Sequence, residues 1–194
     1  MKKFLFLLSI AILINGCGNK FELKENVTAK DLSFVNQDSL EINYPEIIKN
    51  KIAVIGFIYT HCPDICPMTT HNMQLAEEQL SEDELKNVKF ILFTFDPERD
   101  SPNVLKKYAF VREMNMKHWE LLTGNKNNID SLLKIFNIKA FHDDTTYNKM
   151  GEASYFIIHT DRISLVDNDG NLRKIYKGST AKPEELTNDI RNLE

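Results

Sequence analysis

The sequence is poor in the residues that mark several specialised classes of protein. Its 194 residues include 3 cysteines, 7 glycines and 6 prolines, too few for a disulfide scaffold or a low-complexity chain. The formal net charge is −4, so no basic surplus is available to neutralise the phosphates of a nucleic acid partner. The length and the hydrophobic share of 42% indicate one globular domain with a short extension.

Long hydrophobic runs are also missing. The longest one, Phe4 to Ile14, is apolar apart from one serine and is too short to span a bilayer as a helix. It follows two lysines and ends in LINGC at Cys17, which resembles a bacterial lipobox with a small residue before the lipidated cysteine. We predict a lipoprotein signal peptide at residues 1–16 and lipidation of Cys17. A plain signal peptide or an uncleaved anchor is the alternative.

Cleavage before Cys17 removes Lys2 and Lys3, so the net charge falls from −4 to −6. The polar residues after the cysteine predict a flexible tether over residues 17–28, and residues 29–194 form the predicted domain. We therefore expect an exported lipoprotein on the cell membrane or the outer membrane, facing the periplasm or the cell exterior, with the lipid as its only membrane attachment.

A continuous apolar run at residues 52–59 and a largely apolar run at residues 88–95 predict strands buried on both faces. Helical patterns follow, and short paired runs predict a hairpin near each end of the domain. The predicted helices cover residues 68–80, 102–113, 129–136 and 183–193. The other predicted strands are 32–34 with 40–42, then 119–122, 155–159, and 163–166 with 172–176, and residues 142–151 are predicted to form a surface loop. This order predicts an α/β fold with a mixed central sheet flanked by helices.

The two remaining cysteines stand in the segment CPDIC, directly after the first buried strand and at the start of a helix. That position is typical of a thioredoxin-like fold. A helix N-terminus favours the thiolate of Cys66. The spacing of Cys62 and Cys66 lets both sulfurs face one centre, where they could form a disulfide or bind a soft metal ion. A disulfide that only staples the loop is a further alternative.

Two thiolates leave a thiophilic metal under-coordinated, and imidazole is the natural third donor. His61 and His71 are expected to point away from the cysteines, and His118 and His142 are expected on surface loops. His159, at the end of a β-like run, could enter the site from a neighbouring loop. Such a donor set suits Cu(I), or Cu(II) with added ligands, whereas zinc would need a fourth ligand. Spacing alone leaves the third ligand and the metal open.

Three strings resemble the SCO/SenC family of copper-binding assembly factors. They are YTHCPDICP at 59–67, DPERD at 96–100, and His159-Thr160 followed by LVDNDG at 165–170. The similarity runs from about residue 29 to residue 194. It implies a thioredoxin fold, with copper held by Cys62, Cys66 and His159. It also implies a role in building the binuclear copper A centre of cytochrome c oxidase subunit II, by copper delivery or by reduction of that subunit's cysteines.

The chain departs from the family pattern around the histidine. Residues 161–164 are more polar than the apolar run that usually follows it, and Ile158 stands where many members have an acidic residue. We interpret DPERD as a loop-forming and helix-capping segment, with a contact to the site or to a partner as the alternative.

Two functions remain open from the sequence. The first is a copper metallochaperone whose partner is cytochrome c oxidase subunit II or another copper acceptor. The second is a thiol-disulfide oxidoreductase in which Cys62 and Cys66 are a redox-active pair. In that enzyme one cysteine attacks a partner disulfide, the other resolves the mixed disulfide, and the histidine is dispensable.

Overall fold

The computed structural model describes Phe21 and residues 23–143, 145–147 and 153–194. Its strands are β1 (Glu25–Asn26), β2 (Leu32–Asn36), β3 (Glu41–Tyr44), β4 (Ile52–Ile58), β5 (Val88–Thr94), β6 (Trp119–Thr123), β7 (Ala140–His142), β8 (Thr146–Tyr147), β9 (Ala153–Ser154), β10 (Ile157–His159), β11 (Ile163–Val166) and β12 (Asn171–Tyr176). Its α-helices are α1 (Ile65–Glu78), α2 (Glu82–Leu85), α3 (Pro102–Val111), α4 (Lys126–Ile135) and α5 (Pro183–Arg191).

Eight strands form one mixed sheet in the order β1-β12-β11-β4-β5-β6-β2-β3. The central strands β4, β5 and β6 are parallel, and antiparallel strands flank them on both sides. Helices flank this sheet, which confirms the predicted thioredoxin-like α/β class. Every residue of β4 is buried, and β5 is buried except for one half-buried lysine. The two apolar runs are therefore central strands, as predicted.

Both predicted hairpins are present. β2 pairs with β3, and β11 pairs with β12. The second hairpin turns at Gly170, whose φ of 76° lies in the left-handed region. A Cβ there would lie 2.3 Å from the Thr28 methyl group, so the turn requires glycine for both conformation and space.

The folded chain begins earlier than the predicted domain boundary at residue 29. Phe21 is buried, β1 pairs with β12, and Val27 is fully buried. The Tyr44 hydroxyl donates to the Val27 carbonyl at 2.6 Å. The prediction of a flexible tether over residues 17–28 is therefore wrong for Phe21 and residues 23–28, because sparse apolar residues anchor this polar segment to the sheet. Residues 1–20, including Cys17, lie outside the described residues.

The predicted surface loop at residues 142–151 is also partly wrong. His142 ends β7, which pairs with β10, and β8 pairs with β9. The partners in these two strand pairs lie several residues apart in the sequence, and the polar composition of the segment does not reveal the pairing. Residues 144 and 148–152 lie outside the described residues.

The helices occur where predicted, with shifted ends. α1 begins at Ile65, three residues before the predicted start, so that Cys66 lies in its first turn. α4 begins at Lys126 because the Asn125 side chain accepts a hydrogen bond from the Asn128 N–H at 2.9 Å. The short α2 was not predicted, although Ser81 and Glu84 form a capping box that the sequence displays.

Helix α1 lies close against β4, which places the cysteine segment at the carboxyl end of the central strands. A Cβ at Gly56 would lie 2.9 Å from the Met73 sulfur and 2.8 Å from a methyl carbon of Leu92. Glycine at this position therefore permits the close approach of helix and strand. Within the part of the chain that the structure describes, no helix is both long enough and apolar enough to cross a membrane.

Candidate metal centre

The two cysteines come from consecutive elements. Cys62 lies in the loop after β4, and Cys66 is the second residue of α1. Cys62 is half-buried, whereas Cys66 is 1% exposed. The Cys66 N–H donates to the Cys62 sulfur at 3.4 Å, so the helix start holds the two groups together. Both are free thiols in this structure, and the disulfide between them stays a prediction for the oxidised protein.

His159 completes a cluster with these cysteines. It is the last residue of β10, and its Nε2 lies 3.5 Å from the Cys66 sulfur. The ligand atoms of Cys62, Cys66 and His159 all lie within 4.8 Å of one another. Among the described residues, this is the one group of three or more histidine, cysteine or acidic side chains with such spacing. The structure thus brings together the three residues that the sequence analysis singled out.

The hydrogen bond at the other ring nitrogen fixes the tautomer and the orientation of the His159 ring. Its Nδ1 lies 3.1 Å from the Thr160 carbonyl oxygen. A carbonyl only accepts, so Nδ1 carries the proton in the neutral ring. Nε2 is then the nitrogen with a free lone pair, and it faces the cysteines. This is the arrangement by which proteins orient an imidazole ligand.

The two thiols differ in acidity. A hydrogen bond from the Cys66 thiol holds the pKa of Cys62 well below its usual range, with help from the His159 side chain and from the backbone N–H groups of Cys66 and Asp64. The same hydrogen bond, together with burial, raises the pKa of Cys66. In the metal-free, reduced protein the pair therefore carries one negative charge, on the more exposed Cys62.

Aromatic rings form the wall behind the histidine. The Phe95 ring centroid lies 4.6 Å from that of His159, and the Tyr59 centroid lies 6.0 Å from it. Both aromatic residues directly follow central strands. Sequence reasoning did not include them in the site, although Tyr59 opens the same motif that holds the cysteines.

The DPERD segment braces the site instead of capping a helix. Asp100 accepts hydrogen bonds from the Thr60 N–H at 3.1 Å, the Thr60 hydroxyl at 2.5 Å and the Thr94 hydroxyl at 2.5 Å. Ser101 occupies the N-cap position of α3, but its side chain makes no capping bond. The segment forms a loop, as predicted, but the helix-capping part of the interpretation is wrong, because Asp100 bonds to the ends of β4 and β5 instead of to α3.

The same segment also holds the strand that leads to His159. Asp96 pairs with Arg99 and accepts from the Tyr155 hydroxyl at 2.9 Å. The Arg99 guanidinium lies 3.6 Å from the Tyr155 ring centroid and donates to the Tyr155 carbonyl at 3.2 Å. Tyr155, which the sequence analysis did not single out, thus ties the chain before β10 to the end of the central sheet.

The other four histidines do not join this cluster. His61 and His71 are exposed, as expected for side chains that point away. His142 is exposed and stacks on Tyr155, but it belongs to β7 and not to a loop. The prediction of an exposed loop position is wrong for His118, which is 5% exposed, because the neighbouring Trp119 begins β6 and draws the chain into the core.

The whole described domain can be compared with known families. The SCO1/SenC family model matches residues 22–194. The chain belongs to the SCO1/SenC family. The SCO1 protein homolog of Bacillus subtilis is 29% identical over 186 residues, which cover 94% of this chain and 92% of the relative.

Solved family members agree with the fold. Copper-bound ScoI of Bradyrhizobium japonicum is 25% identical, has a TM-score of 0.67, and matches 85% of this chain and 98% of its own. BsSco, described as a member of the Sco family of cytochrome c oxidase assembly proteins with a disulfide switch, is 28% identical with a TM-score of 0.66. That match covers 88% of this chain and 94% of BsSco.

Proposed function

We propose that the protein is a copper metallochaperone that binds one copper ion through Cys62, Cys66 and His159. The observation that carries this proposal is the convergence of two sulfurs and an imidazole nitrogen within 4.8 Å. Two thiolates and one imidazole form a soft, low-coordinate donor set, which suits Cu(I) and accommodates Cu(II) when further ligands are added. The copper-bound ScoI relative supports this choice of metal.

The charge state of the two thiols favours the binding of a cation. Cys62 already carries a negative charge in the reduced protein, and the Cys66 proton leaves when the metal binds. The resulting complex of two thiolates and one neutral imidazole has a charge of −1 with Cu(I). Transfer would proceed by ligand exchange, in which an acceptor thiolate approaches copper from the side of the half-buried Cys62.

We infer that the acceptor is cytochrome c oxidase subunit II, whose binuclear copper A centre the protein would help to assemble. The membership of BsSco in a family of oxidase assembly proteins supports this role. The lipobox-like segment at Cys17 supports an exported domain anchored to the cell membrane or the outer membrane through lipid. An anchor of this kind would hold the domain near a membrane-embedded acceptor and raise their effective concentration.

Copper binding by the chain that carries Cys17→Ser, reduced and anaerobic in detergent, tests the proposal. We expect one Cu(I) per chain, measured by competition with a chromogenic Cu(I) chelator. His159→Ala should weaken binding by about 10- to 100-fold or more, since a direct ligand contributes at least as much as its supporting contacts do. Cys62→Ser should abolish tight binding. His71→Ala is the matched control, since His71 is exposed on α1, and it should bind like the parent.

Thiol-disulfide oxidoreductase activity is the second candidate, and the asymmetry of the cysteines favours it. The more acidic and more exposed Cys62 is suited to attack a partner disulfide, while buried Cys66 is placed to resolve the mixed disulfide. Copper binding that is weak and indifferent to His159→Ala, together with rapid disulfide exchange by the parent, would reject the chaperone and leave the oxidoreductase.

A further inference from the structure

Asp161 lies two residues after His159 and outside the group of three converging side chains. Its carboxylate accepts hydrogen bonds from the Ser179 N–H at 3.0 and 3.1 Å and from the Ser179 hydroxyl at 2.6 Å. The Thr69 hydroxyl lies 3.1 Å from Asp161 Oδ1. Thr69 is in α1, one turn after Cys66. The carboxylate therefore joins the segment that carries the imidazole to the helix that carries a thiol.

Of the hydrogen bonds that Asp161 makes with Ser179 and Thr69, those with Ser179 are the stronger. Thr69 has a single hydroxyl proton and two acceptors, because its oxygen also lies 3.0 Å from the Ile65 carbonyl. Ser179 offers two separate donors, its N–H and its hydroxyl. The turn that contains it, residues 178–180, is itself fixed to α1, since the Asn72 side-chain amide donates to the Gly178 carbonyl at 2.9 Å.

The junction is also closely packed. A Cβ at Gly178 would lie 2.6 Å from Asp161 Oδ1 and 2.6 Å from the Thr69 hydroxyl oxygen. These distances are too short for any side chain, so the backbone of the turn passes directly against both groups. The position of the Asp161 carboxylate is therefore determined from three sides.

The chain around His159 has few other attachments to α1. Thr160 is hydrogen-bonded to Lys139, and Arg162 donates to the Phe136 carbonyl at 2.6 Å. Both contacts tie the segment to the opposite side, near α4 and β7. Among the hydrogen bonds of the described residues, those of Asp161 are the ones that hold residues 159–162 toward α1, apart from the contact between His159 and Cys66.

We propose that Asp161 is a positioning residue that holds His159 against α1 and thereby sets the spacing between the imidazole and the two sulfurs. The proposal rests on the proposed function, because it assigns a role in copper binding to a side chain that is not itself a ligand.

Two substitutions separate hydrogen bonding from charge. Asp161→Ala removes the acceptors for Ser179 and Thr69. Asp161→Asn removes the negative charge but keeps a side-chain oxygen that can accept from the Ser179 N–H. Asp167→Ala is the matched control. Asp167 is buried and accepts from the Asn171 N–H at 2.8 Å and from Arg173 at 2.9 Å, but it follows the far end of β11.

The first readout is Cu(I) affinity, measured by chelator competition on the full chain carrying Cys17→Ser. Asp161→Ala should weaken binding by about tenfold or more, as loss of the groups that support a metal ligand commonly does. Asp167→Ala should bind like the parent, and Asp161→Asn should stay much closer to the parent than Asp161→Ala does, since it changes only the charge that acts on Cys66. An Asn variant as weak as the Ala variant would overturn the proposal, because the charge and not the hydrogen bonds would then be responsible.

The second readout uses the metal-free protein. Amide hydrogen exchange in residues 159–162 should become faster in Asp161→Ala and stay unchanged in Asp167→Ala. If Asp161→Ala does not fold, Ser179→Ala should show the same two effects at smaller size. Unchanged affinity and unchanged exchange in a folded variant would overturn the proposal. Failure of the parent to bind copper would instead reject the proposed function, and the exchange data would still decide whether Asp161 holds the segment.

Discussion

Asp100 is a buried carboxylate on which the cysteine loop depends. It is completely buried, and its three hydrogen bonds reach Thr60, two residues before Cys62, and Thr94, the last residue of β5. The side chain thus connects the ends of the two central strands at the point where the chain turns into the loop. Such a carboxylate supports a site without contributing a ligand to it.

Asp100→Ala should lower the free energy of unfolding by about 2–3 kcal/mol, since buried donors at Thr60 and Thr94 lose their acceptor. Urea denaturation measures the change. Asp38→Ala is the control, because Asp38 pairs with Lys106 on the surface, and it should cost about 0.5 kcal/mol or less. Equal stability of the two variants would contradict the role given to Asp100.

The site residues were predictable to different degrees. Cys62 and Cys66 follow from their place after a buried strand, and His159 was one of several histidines until the family resemblance selected it. Phe95, Tyr155 and Asp161 were not predicted, because each reaches the site through a contact with a residue distant in the sequence. No local pattern records which strand ends meet in space.

At the scale of single elements, the strands and helices that were predicted correctly are those with a clear local sequence pattern. The run that became β4 is apolar throughout and the run that became β5 is largely apolar, and the starts of α3 and α5 are marked by proline in the first turn. β10 lies within the predicted strand at 155–159, but β7, β8 and β9 were missed because they are two or three residues long and only their pairing makes them strands.

The contact between α1 and β6 includes a buried carboxyl group, and its ionisation makes the stability of the protein depend on pH. Glu77 of α1 accepts a hydrogen bond from the Trp119 indole of β6 at 2.5 Å, and its Oε1 has no hydrogen-bond partner among the described residues. Burial raises the pKa of Glu77. A carboxyl group whose pKa is higher in the folded state binds its proton more tightly there. Stability is therefore lost as the pH rises from the unfolded pKa through the folded pKa.

Glu77→Gln should remove this loss and keep an oxygen acceptor for the indole. We expect the melting temperature at pH 7 to rise by about 2–4 °C, the shift that about 1 kcal/mol produces in a domain of this size. Near pH 4, where Glu77 is protonated in the folded state, the gain should vanish. Glu77→Ala, which leaves the indole without an acceptor, should be less stable than the parent at both pH values. A gain independent of pH would show that burial of the charge is not the cause.

At the scale of the whole molecule, the proposed lipid at Cys17 would determine where the domain works. Phe21 is buried, so only three residues separate this side chain from the proposed anchor at Cys17. A chain of n extended residues spans at most about 3.5 Å times n. The domain would therefore remain within roughly 15 Å of the bilayer surface at its point of attachment.

Cys17→Ser should release the protein from the membrane fraction or leave it with its signal peptide attached. Mass spectrometry of the N-terminal peptide is the measurement, and the parent should show a lipid-modified cysteine at position 17. Cys62→Ser is the control and should stay at the membrane. An unmodified Cys17 in the parent would reject the lipoprotein assignment without affecting the copper site.

The two sulfurs are unequally exposed, so only Cys62 is accessible to an incoming group. Cys66 is 1% exposed and Cys62 is half-buried, so an incoming copper ion, oxidant or partner thiolate would meet Cys62 first. Metal loading and disulfide exchange then compete for one atom. Under the proposed function, a molecule that carries copper would be withdrawn from thiol exchange, and a molecule in a mixed disulfide would not load. The ratio of the two populations would follow the supply of copper relative to that of oxidised partner.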